Sequence, residues 1–128
     1  MFELPITVAP TDLDGLGHVN NVVYLRWMQE AAGAHWESVT TREQRAAVAW
    51  VVIRHEIDYK APAFAGERLV VRTRVGEATH ATWDRLTEVR RQDDDKLLAR
   101  CRSVYAALDP ATGKPRRIDA ALRSPFLT

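Results

Sequence analysis

The spacing of apolar residues changes once along this chain, and this change limits the fold more than any other feature of the sequence. Residues 22–39 have apolar side chains at the spacing of an α-helix. One stripe of that segment consists of Tyr24, Met28, Ala31 and His35, with Leu25, Ala32 and Trp36 beside it. From Val48 onward apolar and polar residues alternate with a period of two, which indicates β-strands. The pattern therefore predicts one long helix followed by strands.

Short polar turns separate the predicted strands. The strands cover residues 2–9, 48–59, 69–76, 82–91 and 96–108, and residues 40–47 form a polar connection with a short helical turn. Consecutive strands with no helix between them usually pair antiparallel, so we expect the last four strands to form a meander. A helix with one apolar stripe needs a sheet to cover that stripe. We therefore predict an α+β fold in which the sheet wraps around the helix.

Composition is that of an ordinary globular protein. The 128 residues suffice for one domain with a substantial core, so a single domain over residues 1–128 is expected. The net charge of +1 arises from interspersed acids and bases, which argues against a nucleic-acid partner. The single cysteine, Cys101, excludes an internal disulfide, and its position in a strand predicts a buried, inert thiol.

The sequence has no signal for a membrane or for export. No apolar stretch approaches the length that a membrane-spanning helix needs. The first residues also do not show the charged start and apolar run of a targeting segment. We therefore expect no membrane partner and a cytoplasmic location.

A loop rich in polar and small residues, Thr11–Tyr24, leads into the predicted helix. It contains two carboxylates, two glycines, a histidine and an Asn-Asn pair, of which Asn20 or Asn21 suits the N-cap position. The first backbone N–H groups of a helix have no internal partner, so they suit an oxygen that gains negative charge. A carboxylate beside such a site is the minimum equipment for attack on a carbonyl group.

Other interpretations of this loop compete with carbonyl chemistry. The run from Asp12 to Gly15 is similar to the Asp-x-Asp-Gly-Thr signature of haloacid-dehalogenase phosphatases, but Leu16 replaces the threonine and the later α/β helices are missing. A divalent-metal site at Asp12, Asp14 and His18 has too few ligands. No nucleophile elbow or phosphate-binding glycine loop is present. In the simplest interpretation, the aspartates shape a turn and the asparagines cap the helix.

The loop nevertheless matches a known signature. The pattern Asp-x-Asp-x-x-Gly-His-Val-Asn-Asn-x-x-Tyr, found here at Asp12–Tyr24, resembles that of hotdog-fold acyl-CoA thioesterases of the 4-hydroxybenzoyl-CoA thioesterase type. Further segments that resemble this family are Glu30-Ala31, His55–Pro62 leading into Gly66-Glu-Arg-Leu69, and Leu108–Pro115. The resemblance covers nearly the whole chain. It implies a five-stranded antiparallel sheet around one long helix, in agreement with the periodicity.

The resemblance also implies roles for single residues. The catalytic carboxylate of the family falls on Asp14, which acts either as a nucleophile or as a general base towards water. The carbonyl oxygen of the substrate is expected at a backbone N–H near Asn20, Asn21 or Val22. Tyr24 is expected in the acyl pocket or its wall.

Roles for the remaining polar residues are less defined. His18 is expected to orient Asp14 or the substrate, or else to cap the loop. Its neighbour Val19 is also expected to bind the substrate. Asp12 is expected to be structural. Glu30 is either a second carboxylate or a structural acid on a helix face that abuts the sheet.

The family resemblance further implies the partners of the chain. Two copies are expected to join their sheets edge to edge with active sites shared between subunits, as a dimer or a tetramer, which also covers an exposed strand edge. The substrate is an acyl-CoA or acyl-carrier-protein thioester with an undetermined acyl group, and water is the second substrate. No cofactor or metal is expected. Candidates for contact with the coenzyme A phosphates are Arg54, Arg90, Arg91 and Arg102.

Two alternative functions remain open on the same fold. The first is an enoyl-thioester hydratase or dehydratase, in which Asp14 and His18 move a proton and water. The second is a non-catalytic acyl-CoA-binding module. Hotdog ligand sensors are usually fused to a DNA-binding segment, for which the chain has no room.

Overall fold

The computed structural model describes residues 1–127, and Thr128 lies outside the described residues. The strands are β1 (Phe2–Thr7), β2 (Ala49–Tyr59), β3 (Arg68–Ala78), β4 (Thr82–Arg91) and β5 (Leu97–Leu108). The helices are α1 (Asn21–Val39), α2 (Arg42–Ala46) and α3 (Ala120–Arg123), with 3-10 segments at Pro10–Asp12 and Ser124–Leu127. One five-stranded antiparallel sheet and one long helix confirm the predicted α+β hotdog architecture.

The order of strands in the sheet is β1-β3-β4-β5-β2. The predicted meander is wrong in one connection, because β2 pairs with β5 and not with β3. The connection between β2 and β3 is bonded to other parts of the chain instead of forming a hairpin. The Val19 N–H donates to Ala63 O at 2.9 Å, and the Gly66 N–H donates to Val8 O at 2.9 Å. These bonds lead the chain past the start of α1 to the opposite part of the sheet.

Helix α1 lies against the inner face of the sheet. Tyr24, Met28 and Ala31 of the predicted stripe are buried, and Trp27 is buried with them. Fully buried residues that the sheet contributes opposite the helix are Leu69, Val71, Val89 and Leu98. Removing these side chains from water is the main source of stability, at about 25 cal/mol for each Å² of apolar surface. Within residues 1–127 no helix combines the length and apolarity that crossing a membrane requires.

The outer face of the sheet carries charges in alternation. One row takes one residue from each strand, in the spatial order Glu3, Arg72, Glu88, Arg100 and Asp58. Within the row, Arg72 Nε lies 3.6 Å from Glu3 Oε1 and Arg100 Nε lies 3.2 Å from Asp58 Oδ2. Opposite charges on neighbouring strands stabilise a sheet by about 0.2–1 kcal/mol per pair. The outer face is therefore suited to water.

Strand β2 forms one edge of the sheet, and no strand among the described residues pairs with its outer side. The side chains of Val51 and Ile53 on this strand expose 43% and 60% of their area. The pairing of β2 with β5 shifts register between Val52 and Arg54. An exposed strand edge with apolar side chains is a surface that proteins normally cover.

Candidate functional site

The loop before α1 holds the carboxylate of Asp14 close to His18. The Asp14 N–H donates to His18 O at 2.9 Å, and the Gly17 N–H donates to Asp14 O at 3.2 Å. Gly17 has a φ of +83°, a left-handed conformation that glycine adopts without strain. The side chain of Asp14 is 29% exposed, so the loop leaves this carboxylate accessible to a ligand.

The two carboxylate oxygens of Asp14 have different surroundings. Oδ1 accepts a hydrogen bond from the Leu16 N–H at 2.8 Å, which fixes the side chain on its own loop. Oδ2 lies 3.7 Å from His18 Nδ1, beyond hydrogen-bond length. The structure therefore brings Asp14 and His18 close together, which is one of the alternatives that the sequence left open for His18, and Oδ2 is the oxygen of Asp14 with no hydrogen bond among residues 1–127.

Asp12 has the structural position expected for it. Its side chain is 8% exposed, Oδ2 accepts from the Ala9 N–H at 2.9 Å, and Oδ1 accepts from Arg26 Nη2 at 2.8 Å. Its main-chain oxygen also accepts from the Asn20 N–H at 2.9 Å. Both oxygens of the carboxylate are thus used to join the loop to α1. Glu30, expected on a helix face against the sheet, is instead exposed and lies 3.7 Å from Arg26.

The start of α1 leaves one backbone donor open. The side chain of Asn20 caps the helix, because its Oδ1 accepts from the Val22 N–H at 3.0 Å. The N–H of Asn20 itself donates to Asp12, and the Val23 N–H donates to Asn20 O. Of the three donors proposed from the sequence, Asn21 alone has an N–H with no acceptor among residues 1–127. This N–H lies at the positive end of a 19-residue helix.

The remaining predicted site residues divide between the surface and the core. Val22 is 70% exposed at the first turn of α1. Val19 and Tyr24 are both buried in the main core, and the Tyr24 ring meets the Tyr59 ring edge-on at 5.6 Å. Burial raises the pKa of Tyr24 above its usual value, so its hydroxyl stays protonated. Tyr24 therefore packs in the core beneath the first turn of α1 and anchors the start of the helix.

A cavity of about 290 Å³ lies between the second half of α1 and the inner face of the sheet. Sequence reasoning did not find it. We call it the aromatic cavity, because Trp36, Trp50, Trp83 and Phe126 line it. Other residues of its wall are Gln29, Ala32, Gly33, Val52, Val75, Asp84, Arg85 and Tyr105. Phe126 comes from the C-terminal 3-10 segment and stacks on Trp36 with ring centres 5.5 Å apart.

Arg85 projects from β4 on the inner face of the sheet and is only 7% exposed. Its Nη1 lies 3.0 Å from His35 Nδ1 and 3.0 Å from Thr73 Oγ1. Burial, with the nearby charge of Arg85, lowers the pKa of His35 from 6.5 to about 4. His35 is therefore neutral near pH 7, and its Nδ1 accepts a hydrogen bond from Arg85.

A second polar group that the sequence analysis missed lies where β2 pairs with β5. His55 Nδ1 is 2.7 Å from Ser103 Oγ, and Cys101 Sγ is 3.4 Å from the same oxygen. Burial lowers the pKa of His55 and raises the pKa of Cys101. The prediction of a buried thiol at Cys101 is confirmed, because its side chain is 4% exposed. The thiol is held in its protonated, unreactive form.

The four arginines suggested for coenzyme A all have carboxylate partners. Arg54 pairs with Glu56, Arg90 with Glu88, Arg91 with Glu67 and Asp94, and Arg102 with Glu56 and Asp84. Their contact with phosphates stays a prediction. Among residues 1–127 no three histidine, cysteine or acidic side chains are grouped to hold a metal ion.

Residues 8–126 match the model of the thioesterase-like superfamily. The chain belongs to this superfamily. Membership confirms the predicted resemblance and the predicted enzyme class, a thioesterase. A comparison with curated protein sequences gives no match.

Solved structures with the same fold include several thioesterases. A thioesterase from Thermus thermophilus, in complex with coenzyme A and zinc, is 25% identical, with a TM-score of 0.86 over 98% of this chain and 90% of that one. A 1,4-dihydroxy-2-naphthoyl-CoA thioesterase from Synechocystis is 22% identical, with a TM-score of 0.86 over 98% and 95% of the two chains. A probable thioesterase from Escherichia coli is 21% identical, with a TM-score of 0.89 over 98% and 96%.

Proposed function

We propose that this thioesterase hydrolyses an acyl-CoA or acyl-carrier-protein thioester with Asp14 as its catalytic carboxylate. The observation that carries the proposal is the half-buried carboxylate of Asp14 on the loop that leads directly to the open N–H of Asn21. The carboxylate supplies or activates the oxygen that attacks, and the N–H stabilises the oxygen of the carbonyl group. A coenzyme A complex in the Thermus thermophilus relative supports a coenzyme A thioester as substrate.

Two reaction routes use the same atoms. As a general base, Asp14 Oδ2 takes a proton from water while the water oxygen bonds to the thioester carbon. As a nucleophile, Oδ2 bonds to that carbon itself, and water then cleaves the resulting anhydride. In both routes the C–S bond breaks, the electron pair leaves with sulfur, and the thiolate takes a proton from solvent. A thiolate is a good leaving group, so no dedicated acid is needed.

The oxygen of the tetrahedral intermediate carries the negative charge that forms in either route. We place it at the Asn21 N–H, where the dipole of α1 adds to the hydrogen bond. A single donor of this kind contributes about 100- to 1000-fold to the rate. His18 Nδ1, 3.7 Å from Asp14 Oδ2, is close enough to orient that oxygen through a small movement or a bridging water.

The directions of α1 and β2 support an active site shared between two copies. β2 runs antiparallel to α1, because the Tyr59 hydroxyl donates to Asn21 O at 3.1 Å while the Trp50 ring meets the Trp36 ring at 6.0 Å. When two copies pair antiparallel through β2, the Tyr59 end of one copy lies beside the Trp50 end of the other. The Asp14 loop of one copy then faces the aromatic cavity of its partner, which would receive the acyl group.

Within one chain these two parts are too far apart for a short acyl group. Asn21 and Trp36 are fifteen positions apart on α1, which corresponds to about 22 Å. The exposed Val51 and Ile53 on the edge of β2 give the pairing an apolar surface to bury. A dimer therefore completes the site.

Release of free thiol from a panel of acyl-CoA thioesters tests the proposal. Replacement of the carboxylate in Asp14→Asn and Asp14→Ala is expected to lower kcat by about a hundredfold or more, with circular dichroism and the melting temperature nearly unchanged. The matched control is Asp93→Asn, at an exposed turn, which is expected to retain wild-type turnover. Normal thiol release by either variant at position 14 would overturn the assignment.

The proximity of His18 to Asp14 also favours a second candidate, hydration of an enoyl thioester. An aspartate and a histidine in that arrangement can transfer a proton to carbon while water is added. The two functions give different products. Conversion of crotonyl-CoA to 3-hydroxybutanoyl-CoA without release of thiol would establish the hydratase, and release of thiol with unhydrated crotonate as the other product would exclude it.

A further inference from the structure

The inner face of the sheet contains a buried cation that has no anionic partner. No carboxylate oxygen in residues 1–127 lies within 4 Å of the guanidinium of Arg85, which is 7% exposed. Its hydrogen bonds to His35 and Thr73 both use Nη1. The N–H groups of Nε and Nη2 have no acceptor among the described residues. A buried charge without a partner is costly, which suggests that this arginine is kept for a ligand.

Neighbouring side chains do not neutralise this cation. His35 is uncharged near pH 7 and serves only as an acceptor. Asp84 belongs to the wall of the cavity, but its Oδ2 accepts from Arg102 Nε at 2.8 Å on the other face of the sheet. Burial raises the pKa of Tyr105, so its phenol is protonated. The Phe126 ring lies over the guanidinium at 5.9 Å and gives it a weak cation–π contact, but no anion among residues 1–127 neutralises the positive charge that faces the aromatic cavity.

The cavity around this cation is built for an apolar group with one anionic end. Its apolar walls come mainly from the aromatic rings of Trp36, Trp50 and Trp83. Tyr105 belongs to the same wall as Arg85, and its hydroxyl has no hydrogen-bond partner among the described residues, so it is a second donor. The volume of about 290 Å³ lies at the lower end of the range for small-molecule sites.

We propose that the acyl group of the substrate carries a second, ionised carboxylate at the end remote from the thioester, and that Arg85 and Tyr105 bind it. This inference rests on the proposed function, because the cavity is assigned to the acyl group there. The planar fork of Nε and Nη2 matches the two oxygens of a carboxylate. The single charge of a carboxylate is also neutralised by one guanidinium, whereas the second charge of a phosphate would stay unpaired.

The position of Arg85 in the sheet sets the size of the acyl group. On the inner face, Arg85 pairs with Ser103 of β5, and Ser103 pairs with His55 of the edge strand β2. The backbone of Arg85 is therefore two strands in from the edge where the thioester would enter, about 10 Å, and its guanidinium reaches further inward to Thr73 of β3. A monothioester of a dicarboxylic acid of short to medium length spans this distance with its carboxylate inward.

The test compares pairs of substrates that differ only in the terminal carboxylate. Thiol release is measured for succinyl-, adipoyl- and suberoyl-CoA against butanoyl-, hexanoyl- and octanoyl-CoA. The wild-type protein is expected to show a kcat/KM about tenfold or more higher for the best carboxylated member than for its neutral partner. Arg85→Met is expected to abolish this preference by lowering kcat/KM for the carboxylated substrates. Arg85→Lys is expected to restore part of it.

The matched control is Arg74→Met, which removes an exposed arginine from the outer face of the neighbouring strand β3. It is expected to leave the preference unchanged. A wild-type protein that cleaves neutral and carboxylated partners equally, or prefers the neutral ones, would overturn the inference. So would an Arg85→Met variant that folds and still prefers the carboxylated substrates. If Arg85→Met fails to fold, the wild-type preference and Arg85→Lys decide the question.

A binding measurement separates this inference from the proposed hydrolysis. Thioether analogues of adipoyl-CoA and hexanoyl-CoA, which have no cleavable bond, are titrated while the fluorescence of the cavity tryptophans is recorded. Tighter binding of the carboxylated analogue that is lost in Arg85→Met supports the inference even if no thioester is cleaved. Cleavage of thioesters with equal binding of both analogues retains the proposed function and overturns the inference.

Discussion

The Tyr59 hydroxyl donates a hydrogen bond to the main-chain oxygen of Asn21 across 3.1 Å. The two residues are at the end of β2 and at the first position of α1. The edge strand is thereby attached to the residue whose N–H is the open donor. Any pairing of two copies through β2 consequently positions the helix start together with the strand. In the proposed dimer, this contact links assembly of the two copies to the geometry of the proposed catalytic centre.

We predict that Asn21→Pro removes the oxyanion donor without disturbing α1. Proline is favoured at the first position of a helix, and Asn20 has the extended conformation (φ −63°, ψ 136°) that a following proline requires. The expected result is a kcat lower by about 100- to 1000-fold, with an unchanged melting temperature. Asn21→Ala retains the N–H and serves as the control. Similar turnover of the two variants would show that this amide does not bind the substrate oxygen.

Asp12→Ala is predicted to destabilise the fold. The substitution leaves the Ala9 N–H without its acceptor and Arg26 without its closest carboxylate. A loss of about 1–3 kcal/mol in the free energy of unfolding is expected, because the Asp12 side chain is buried. Urea denaturation measures the loss, and Glu30→Ala, at an exposed partner of the same arginine, is the comparison. Equal stability of Asp12→Ala and the wild-type protein would contradict this structural role.

Acid is predicted to weaken the fold through His35. Its pKa is about 4 in the folded protein and near 6.5 in an unfolded chain, so between these values the unfolded state binds more protons. The free energy of unfolding therefore falls as the pH drops from about 6.5 to about 4. His35→Gln retains an acceptor for Arg85 but does not bind a proton in this range. Its free energy of unfolding is therefore expected to fall by about 1–2 kcal/mol less than that of the wild-type protein, a figure that allows for solvent screening. Parallel pH profiles of the wild-type protein and His35→Gln would be evidence against a neutral, half-buried imidazole.

Ile53→Lys is predicted to separate the dimer and lower activity. A charge on the exposed edge of β2 must be desolvated when two copies pair, and edge lysines are a common protection against strand pairing. Light scattering coupled to size-exclusion chromatography measures the mass, and thiol release measures the activity. Thr7→Lys places the same charge on the opposite edge strand, β1, and is expected to change neither. A monomeric Ile53→Lys variant with full activity would exclude a shared site.

Local patterns were sufficient to predict the helix α1 and the loop that carries Asp14 and His18. The helical spacing predicted that α1 starts at residue 22, and the structure has it start at Asn21. The agreement is close because the helix start depends on a local contact, the cap that the Asn20 side chain forms with the Val22 N–H. The nearness of Asp14 to His18 has the same origin, since a tight loop closes between them. The partner of β2 was not predictable in this way. It depends on bonds between the connection 60–67 and residues near β1, which are far apart in the sequence.

The aromatic cavity could not be predicted, because the sequence of β4 does not show which of its two faces is buried. Along β4, inward Arg85 alternates with outward Asp84 and Leu86, so both faces of the strand contain charged and apolar residues. Periodicity alone does not tell which face is covered. The inward face is decided by packing against α1 and by Phe126, which arrives from the other end of the chain.

By itself the sequence determined the five strands and the long helix, the antiparallel sheet around that helix, and the carboxylate loop before it. Periodicity, turn chemistry and helix capping act over a few residues, so they can be recognised in the sequence. The tertiary structure alone decided which strand lies at the edge, which backbone N–H is open, and which cation is buried without a counter-charge. These properties depend on the sum of contacts between distant segments, and burial turns an ordinary arginine into a charge that requires a partner.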